Sequence, residues 1–129
     1  MIYLKSGHSI TIGNEGALAS RAHVSYADVS GATLDGSSAI VTSSATTYNV
    51  ATYAAAGTRN VRLVTVSNDG ASAGVFTISH NTGSDTAPIA KALLQPGQVL
   101  VYSENGGVQV SSAESSTLAT LTLPDTQSP

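Results

Sequence analysis

Three apolar runs, Val61-Arg62-Leu63-Val64-Thr65-Val66, Gly74-Val75-Phe76-Thr77-Ile78 and Gln98-Val99-Leu100-Val101-Tyr102, make the stretch from Tyr48 to Val110 the part of the chain densest in core-forming residues. Each run is rich in β-branched or aromatic residues and lies between turn formers, which marks a strand. The first two flank Asn68-Asp69-Gly70 and predict a hairpin, because Asp-Gly tolerates the positive φ of a tight turn. Phe76 and Ile78 share one face of the second strand. In the first, Val61 and Leu63 point one way and Val64 and Val66 the other, so this strand is expected to be covered on both sides.

The same two-residue period extends in both directions. Ile2-Tyr3-Leu4 and Ser9-Ile10-Thr11-Ile12 predict two short strands around Ser6-Gly7, ended by Gly13-Asn14-Glu15-Gly16. Residues 21–29 alternate Ala22, Val24 and Tyr26 against Arg21, His23 and Ser25, the pattern of a half-buried strand. Residues 32–46 are small and polar around a lone Ile40-Val41 and predict a long loop with a brief extended segment. A strand at 47–50 and a turn at Ala54-Ala55-Ala56-Gly57 follow. Pro88 and Pro96 bracket a span too short for a stable helix, so 88–94 is predicted as a strand. Residues 98–102 and 108–111 form a hairpin through Glu104-Asn105-Gly106-Gly107, residues 117–123 alternate Ala119, Leu121 and Leu123, and 124–129 is a polar, mobile tail. About eight to ten short strands without significant helix predict an all-β fold, a β-sandwich of jelly-roll type. It is expected to be a single domain over 1–129, with residues 1–12 as an N-terminal strand arm able to extend a neighbour's sheet edge.

Composition then narrows the function. A chain of 129 residues is large enough for a core of its own. With only 5% aromatic residues that core is thin, built from Val, Leu, Ile and Ala, so self-association into a dimer or trimer is expected to add stability. Charged residues are 10% of the chain and the formal charge is −3. The five cations, Lys5, Arg21, Arg59, Arg62 and Lys91, are dispersed, with only Arg59 and Arg62 close together, which argues against a nucleic-acid partner. The absence of cysteine removes disulfides, thiolate metal sites and thiol catalysis. The first residues lack the apolar core of a signal peptide, and no run approaches the ~18 apolar residues of a membrane span. A soluble chain that folds in the cytosol is expected, with no membrane partner.

Little in the sequence suggests reactive chemistry. His8, His23 and His80 are separated by whole strands and lack the spacing that sets two ligands on one element, so each is expected to be a surface or hydrogen-bonded side chain. Gly70-Ala71-Ser72-Ala73-Gly74 has the GxSxG spacing, but a nucleophile elbow needs a helix after the turn and none is predicted there; no GxGxxG cradle is present. Asn68, Asp69, Asp85 and Glu104 could gather oxygen ligands for Ca²⁺ if their loops met, but no alternating carboxylate loop exists and turn chemistry accounts for the first three. The expectation is therefore no catalytic residue, no cofactor and no metal. Of the tyrosines, Tyr26, Tyr48 and Tyr102 are expected to close the ends of the core, while Tyr3 and Tyr53 are the better contact residues.

The order Thr47-Tyr48-Asn49-Val50, Val61-Arg62-Leu63-Val64-Thr65-Val66-Ser67-Asn68, Phe76-Thr77-Ile78-Ser79-His80 and Leu93-Leu94-Gln95-Pro96-Gly97-Gln98-Val99-Leu100-Val101-Tyr102 resembles small all-β virion proteins of tailed bacteriophages. His23-Val24-Ser25-Tyr26-Ala27-Asp28 also looks like a segment of such proteins, and the resemblance covers residues 21–123. Val108 departs from it, standing where a Trp is expected after Gly106-Gly107. The resemblance implies a head-decoration (cement) protein or a tail component, with no catalytic residues to carry over. The function expected from it is non-enzymatic: binding to the major capsid protein on the outside of a phage head, with a tail or host-recognition module that binds a cell-surface glycan as the alternative. Contacts are expected from Ile2, Tyr3, Leu4, Ile10, Ile12, Tyr53, Arg59, Arg62 and Asp69, from the 32–46 loop and from the tips at Asp69-Gly70 and Gly106-Gly107.

Overall fold

The structure, a computed structural model, describes residues 2–30, 33–53 and 57–112. These form ten strands: β1 (Ile2–Leu4), β2 (His8–Asn14), β3 (Ser20–Ser30), β4 (Thr33–Ser43), β5 (Thr47–Tyr53), β6 (Thr58–Asn68), β7 (Gly74–Asn81), β8 (Thr86–Leu94), β9 (Gln98–Ser103) and β10 (Gly107–Ser112). All pairings are antiparallel. One sheet runs β10-β9-β6-β3-β4, with β1 also on β6, and the other runs β5-β2-β7-β8. β3 pairs along nearly the whole of β6, so β1 (against 59–61) and β9 (against 63–67) lie end to end along its other edge. The fold is the all-β sandwich that the alternation predicts. Among the described residues there is no helix long and apolar enough to cross a membrane.

The inner faces explain why these residues make these strands. Ile10, Ile12, Phe76, Ile78 and Leu94 of the four-stranded sheet meet Val24, Val61, Val64, Val66 and Leu100 of the larger one, all buried in one cluster. Each such side chain contributes about 1.5–3 kcal/mol when removed from water. Tyr26, Tyr48 and Tyr102 pack, partly buried, against the margins of this cluster, as expected.

Three strands carry one extra residue, and each bulge changes which side chains face inward. In β6 the register against β3 steps from Leu63 to Val61, leaving Arg62 as the odd residue. Val61, Val64 and Val66 consequently all point into the core, while Leu63 lies on the outer face and is half-buried. The expectation of a strand covered on both sides is thereby corrected. Val50 in β5 and Ile89 in β8 are the other odd residues, and the first lets Val50 and Ala51 both be buried. Pro88 sits in β8, an edge strand, where its missing N–H leaves no ladder bond unmade on the open side.

Two predicted features are overturned. Residues 32–46 are not a long loop: β4 pairs with β3 from Ser30↔Thr33 to Ser20↔Ser43. The runs on either side of Asn68-Asp69-Gly70 do not form a hairpin, since β6 belongs to one sheet and β7 to the other. Asn68 itself makes the crossing. Fully buried, it accepts from the Gly70 N–H (3.0 Å) and donates Nδ2 to the carbonyls of Ser72 (2.8 Å) and Leu94 (2.9 Å), and its own carbonyl accepts from Gly97 N–H. Nearby, Asn14 brackets the β2–β3 loop by accepting from Leu18 N–H and donating to Leu18 carbonyl. The predicted strand at 117–123, the tail at 124–129 and residues 54–56 of the predicted turn lie outside the described residues.

Replacing Asn68 by Ala should leave the buried Leu94 carbonyl without its partner and free the 69–72 loop. The expected cost is about 2–4 kcal/mol, read as a lower denaturation midpoint at an unchanged urea slope.

Candidate contact surface

The outer face of the six-stranded sheet follows from the register of its strands. His23 on β3 stands between Ile40 on β4 and Thr65 on β6, and Thr65 in turn faces Val101 on β9 and Gln109 beyond it on β10. The row on one side is Thr42, Arg21, Ser67, Val99 and Ser111, and on the other Ser38, Ser25, Leu63, Ser103 and Gly107. Since Val24, Val64 and Leu100 point into the core, these neighbours point outward. Past the Arg62 bulge the same face continues through Ala27 and Asn60 to Tyr3, 53% exposed.

This face is flat, apolar in part and almost uncharged. Ile40, 66% exposed, joins the half-buried Leu63, Val99 and Val101 among short Ser and Thr side chains. In the three rows the one charged residue is Arg21, at the margin and 3.9 Å from Asp69. Short side chains lose little rotamer freedom when covered, and the centres of protein interfaces are depleted in charge. Beside it, β10 is the outermost strand of the sheet among the described residues and carries neither charge nor proline, and its Val108 and Val110 are half exposed.

The expected contact residues separate sharply. Tyr3 lies on the outer face, and Asp69 is exposed at a loop, where it accepts from Ser67 Oγ. Arg62 is exposed and pairs with Glu104 (3.1 Å). Ile2, Leu4, Ile10 and Ile12 are instead buried in the chain's own core: β1 is part of the larger sheet, and β2 is an inner strand of the other. The N-terminal arm is corrected accordingly, because residues 2–4 and 8–12 are already paired within the chain. Tyr53 is also buried, and Arg59 is used internally. The Arg59 guanidinium donates to both oxygens of Asp28 (2.7 and 3.0 Å) and to Thr52 carbonyl. It lies 3.8 Å from the Tyr26 ring centre and 5.1 Å from that of Tyr53. Asp28 and Tyr26 belong to one sheet and Thr52 and Tyr53 to the other, so this cation clamps the two sheets at the end opposite Asn68.

The sequence reading missed Ile40, Leu63, Val99 and Val101 as one surface. Their signal was the alternation in 98–102, but the face forms only once 33–43 is recognised as a strand.

Among the described residues no three His, Asp or Glu side chains are placed to hold a metal ion. His8 and His80, far apart in the chain and expected to be surface or hydrogen-bonded side chains, are brought together by β2 and β7 and share a hydrogen bond of 3.1 Å between His8 Nδ1 and His80 Nε2. His80 titrates below the ordinary imidazole range, through its burial first and the charge of His8 second.

No protein-family model, curated protein or solved structure matches this chain.

Arg59→Ala should strand Asp28 and lower stability by about 2–4 kcal/mol, whereas Arg21→Ala, which removes an exposed pair, should change it by less than about 1 kcal/mol; chemical denaturation of the two variants measures the contrast. Because His80 takes up its proton more readily in the unfolded chain, its contribution is complete above the unfolded value of about 6.5 and is lost as pH falls through the lower folded value. The melting temperature of the wild type should therefore drop more between pH 7.5 and pH 5 than that of His80→Gln.

Proposed function

We propose that this chain is a non-enzymatic structural protein of a tailed-bacteriophage particle, a decoration protein that lays the outer face of its six-stranded sheet on the major capsid protein and stabilises contacts between capsid subunits. The observation that carries the proposal is that face: Tyr3, Ile40, Leu63, Val99 and Val101 set in a flat field of Ser and Thr, with charge confined to its margin. The resemblance of residues 21–123 to small all-β virion proteins supports the same reading. A rigid sandwich suits it physically, since many modest contacts repeated by particle symmetry resist internal pressure through avidity. The outermost position of β10 among the described strands supports self-association as well, because an uncharged edge strand offers backbone groups to a second copy.

The test uses head shells of the phage that encodes the chain, prepared without it. Such shells should rupture at a lower temperature, and added wild-type protein should restore their stability. Ile40→Asp and Val101→Glu change outward side chains and should leave the β circular dichroism intact while abolishing shell binding. Shells indifferent to the protein, together with saturable binding to a glycan array, would instead support the tail or host-recognition reading.

A further inference from the structure

We propose that His8 and His80 form a two-histidine binding site for a divalent transition-metal ion of the copper, nickel or zinc class. The residues are 72 positions apart, so no sequence motif announces them. Pairing of β2 with β7 sets Ile10 opposite His80, and alternation puts His8 on the same side of its strand as Ile10. Both imidazoles thus lie on the inward side of the smaller sheet, half-buried, at the end where His8 stands opposite Tyr53.

The geometry is that of two ligands on one ion. With metal–nitrogen bonds of about 2.0–2.1 Å, two nitrogens stand about 3.3 Å apart at the tetrahedral angle and about 2.9 Å apart at a right angle. His8 Nδ1 and His80 Nε2 share a hydrogen bond of 3.1 Å, a separation that lies between these two values, so an ion would take the place of the shared proton. The rings are tilted by 58° with centres 5.1 Å apart, so they converge and do not stack. A metal requires unprotonated imidazole, so binding is expected to weaken as pH falls. Imidazole selects copper, nickel and zinc over calcium and magnesium. The adjoining turns carry Gly7 and Gly83, both at positive φ, and water would complete the coordination sphere. The site does not depend on the capsid reading.

The purified chain is titrated with Cu²⁺, Ni²⁺ and Zn²⁺ separately, with thermal denaturation and, for copper, electron paramagnetic resonance as readouts. One equivalent should bind saturably, Cu²⁺ most tightly, with a rise in melting temperature and a copper spectrum showing two nitrogen ligands. His8→Asn and His80→Asn should each weaken binding by more than about tenfold, the loss that even an outer-shell change can produce. His23→Asn should bind as the wild type does. The spectrum of the wild type reads the ligands directly, so a poorly folded variant does not blunt the test. Absence of saturable binding, a copper spectrum without two nitrogens, or binding lost with His23 and kept without His8 and His80 would overturn the proposal.

Discussion

The buried amide of Asn68 is the constraint on which the remaining architecture rests. A strand that ends inside a sandwich must satisfy its last backbone groups while turning toward the other sheet, and water cannot help where the amide is fully buried. Asn68 meets that demand by bonding Gly70, Ser72 and Leu94, which ties together the β6–β7 crossing and the end of β8. Its carbonyl also receives Gly97 N–H, so the β8–β9 turn is fixed to the same residue. Asn14 repeats the device on Leu18, whose side chain packs against Gly70 and Gly74, where a Cβ would stand only 3.0 and 2.6 Å from it. One end of the sandwich is therefore held by neutral amides and a leucine seated on glycines.

The opposite end is held by charge. Arg59 joins Asp28 and Tyr26 of the larger sheet to Thr52 and Tyr53 of the smaller one. A bidentate, ring-stacked guanidinium replaces the large aromatic residues that this thin core lacks. With Arg59 drawn inward, Lys91 on the edge strand β8 and Arg62 held by Glu104, few charges remain for the sheet surfaces. That distribution leaves a broad face that costs little to desolvate, the property on which the proposed contact role rests.

Bulges translate between pattern and packing. A strict period of two would put Val61 and Val64 on opposite faces of β6; the extra Arg62 reverses the alternation and directs both into the core. Val50 does the same for β5. A single additional residue thus decides whether an apolar strand is read as covered on one side or on both, and with it whether Leu63 counts as core or as surface.

The sequence by itself determined the all-β class, most strand positions from β1 to β10, the β9–β10 hairpin and the core residues Val64, Val66, Phe76, Ile78 and Leu100, because local alternation and turn chemistry act over a few residues and need no distant partner. Tertiary structure decided how the other strands pair. Residues 33–43 carry small polar side chains whose pattern says nothing of a strand, yet β3 supplies them with a complete backbone ladder. Asp69-Gly70 has the composition of a hairpin turn, but the buried Asn68 before it sends the chain across to the other sheet. Ile2, Leu4, Ile10, Ile12 and Tyr53 looked like contact residues because apolar side chains near a terminus or a turn carry no mark of burial. Arg59 and the meeting of His8 with His80 were equally illegible, since each depends on long-range backbone register, which is fixed only when the two sheets close on one core.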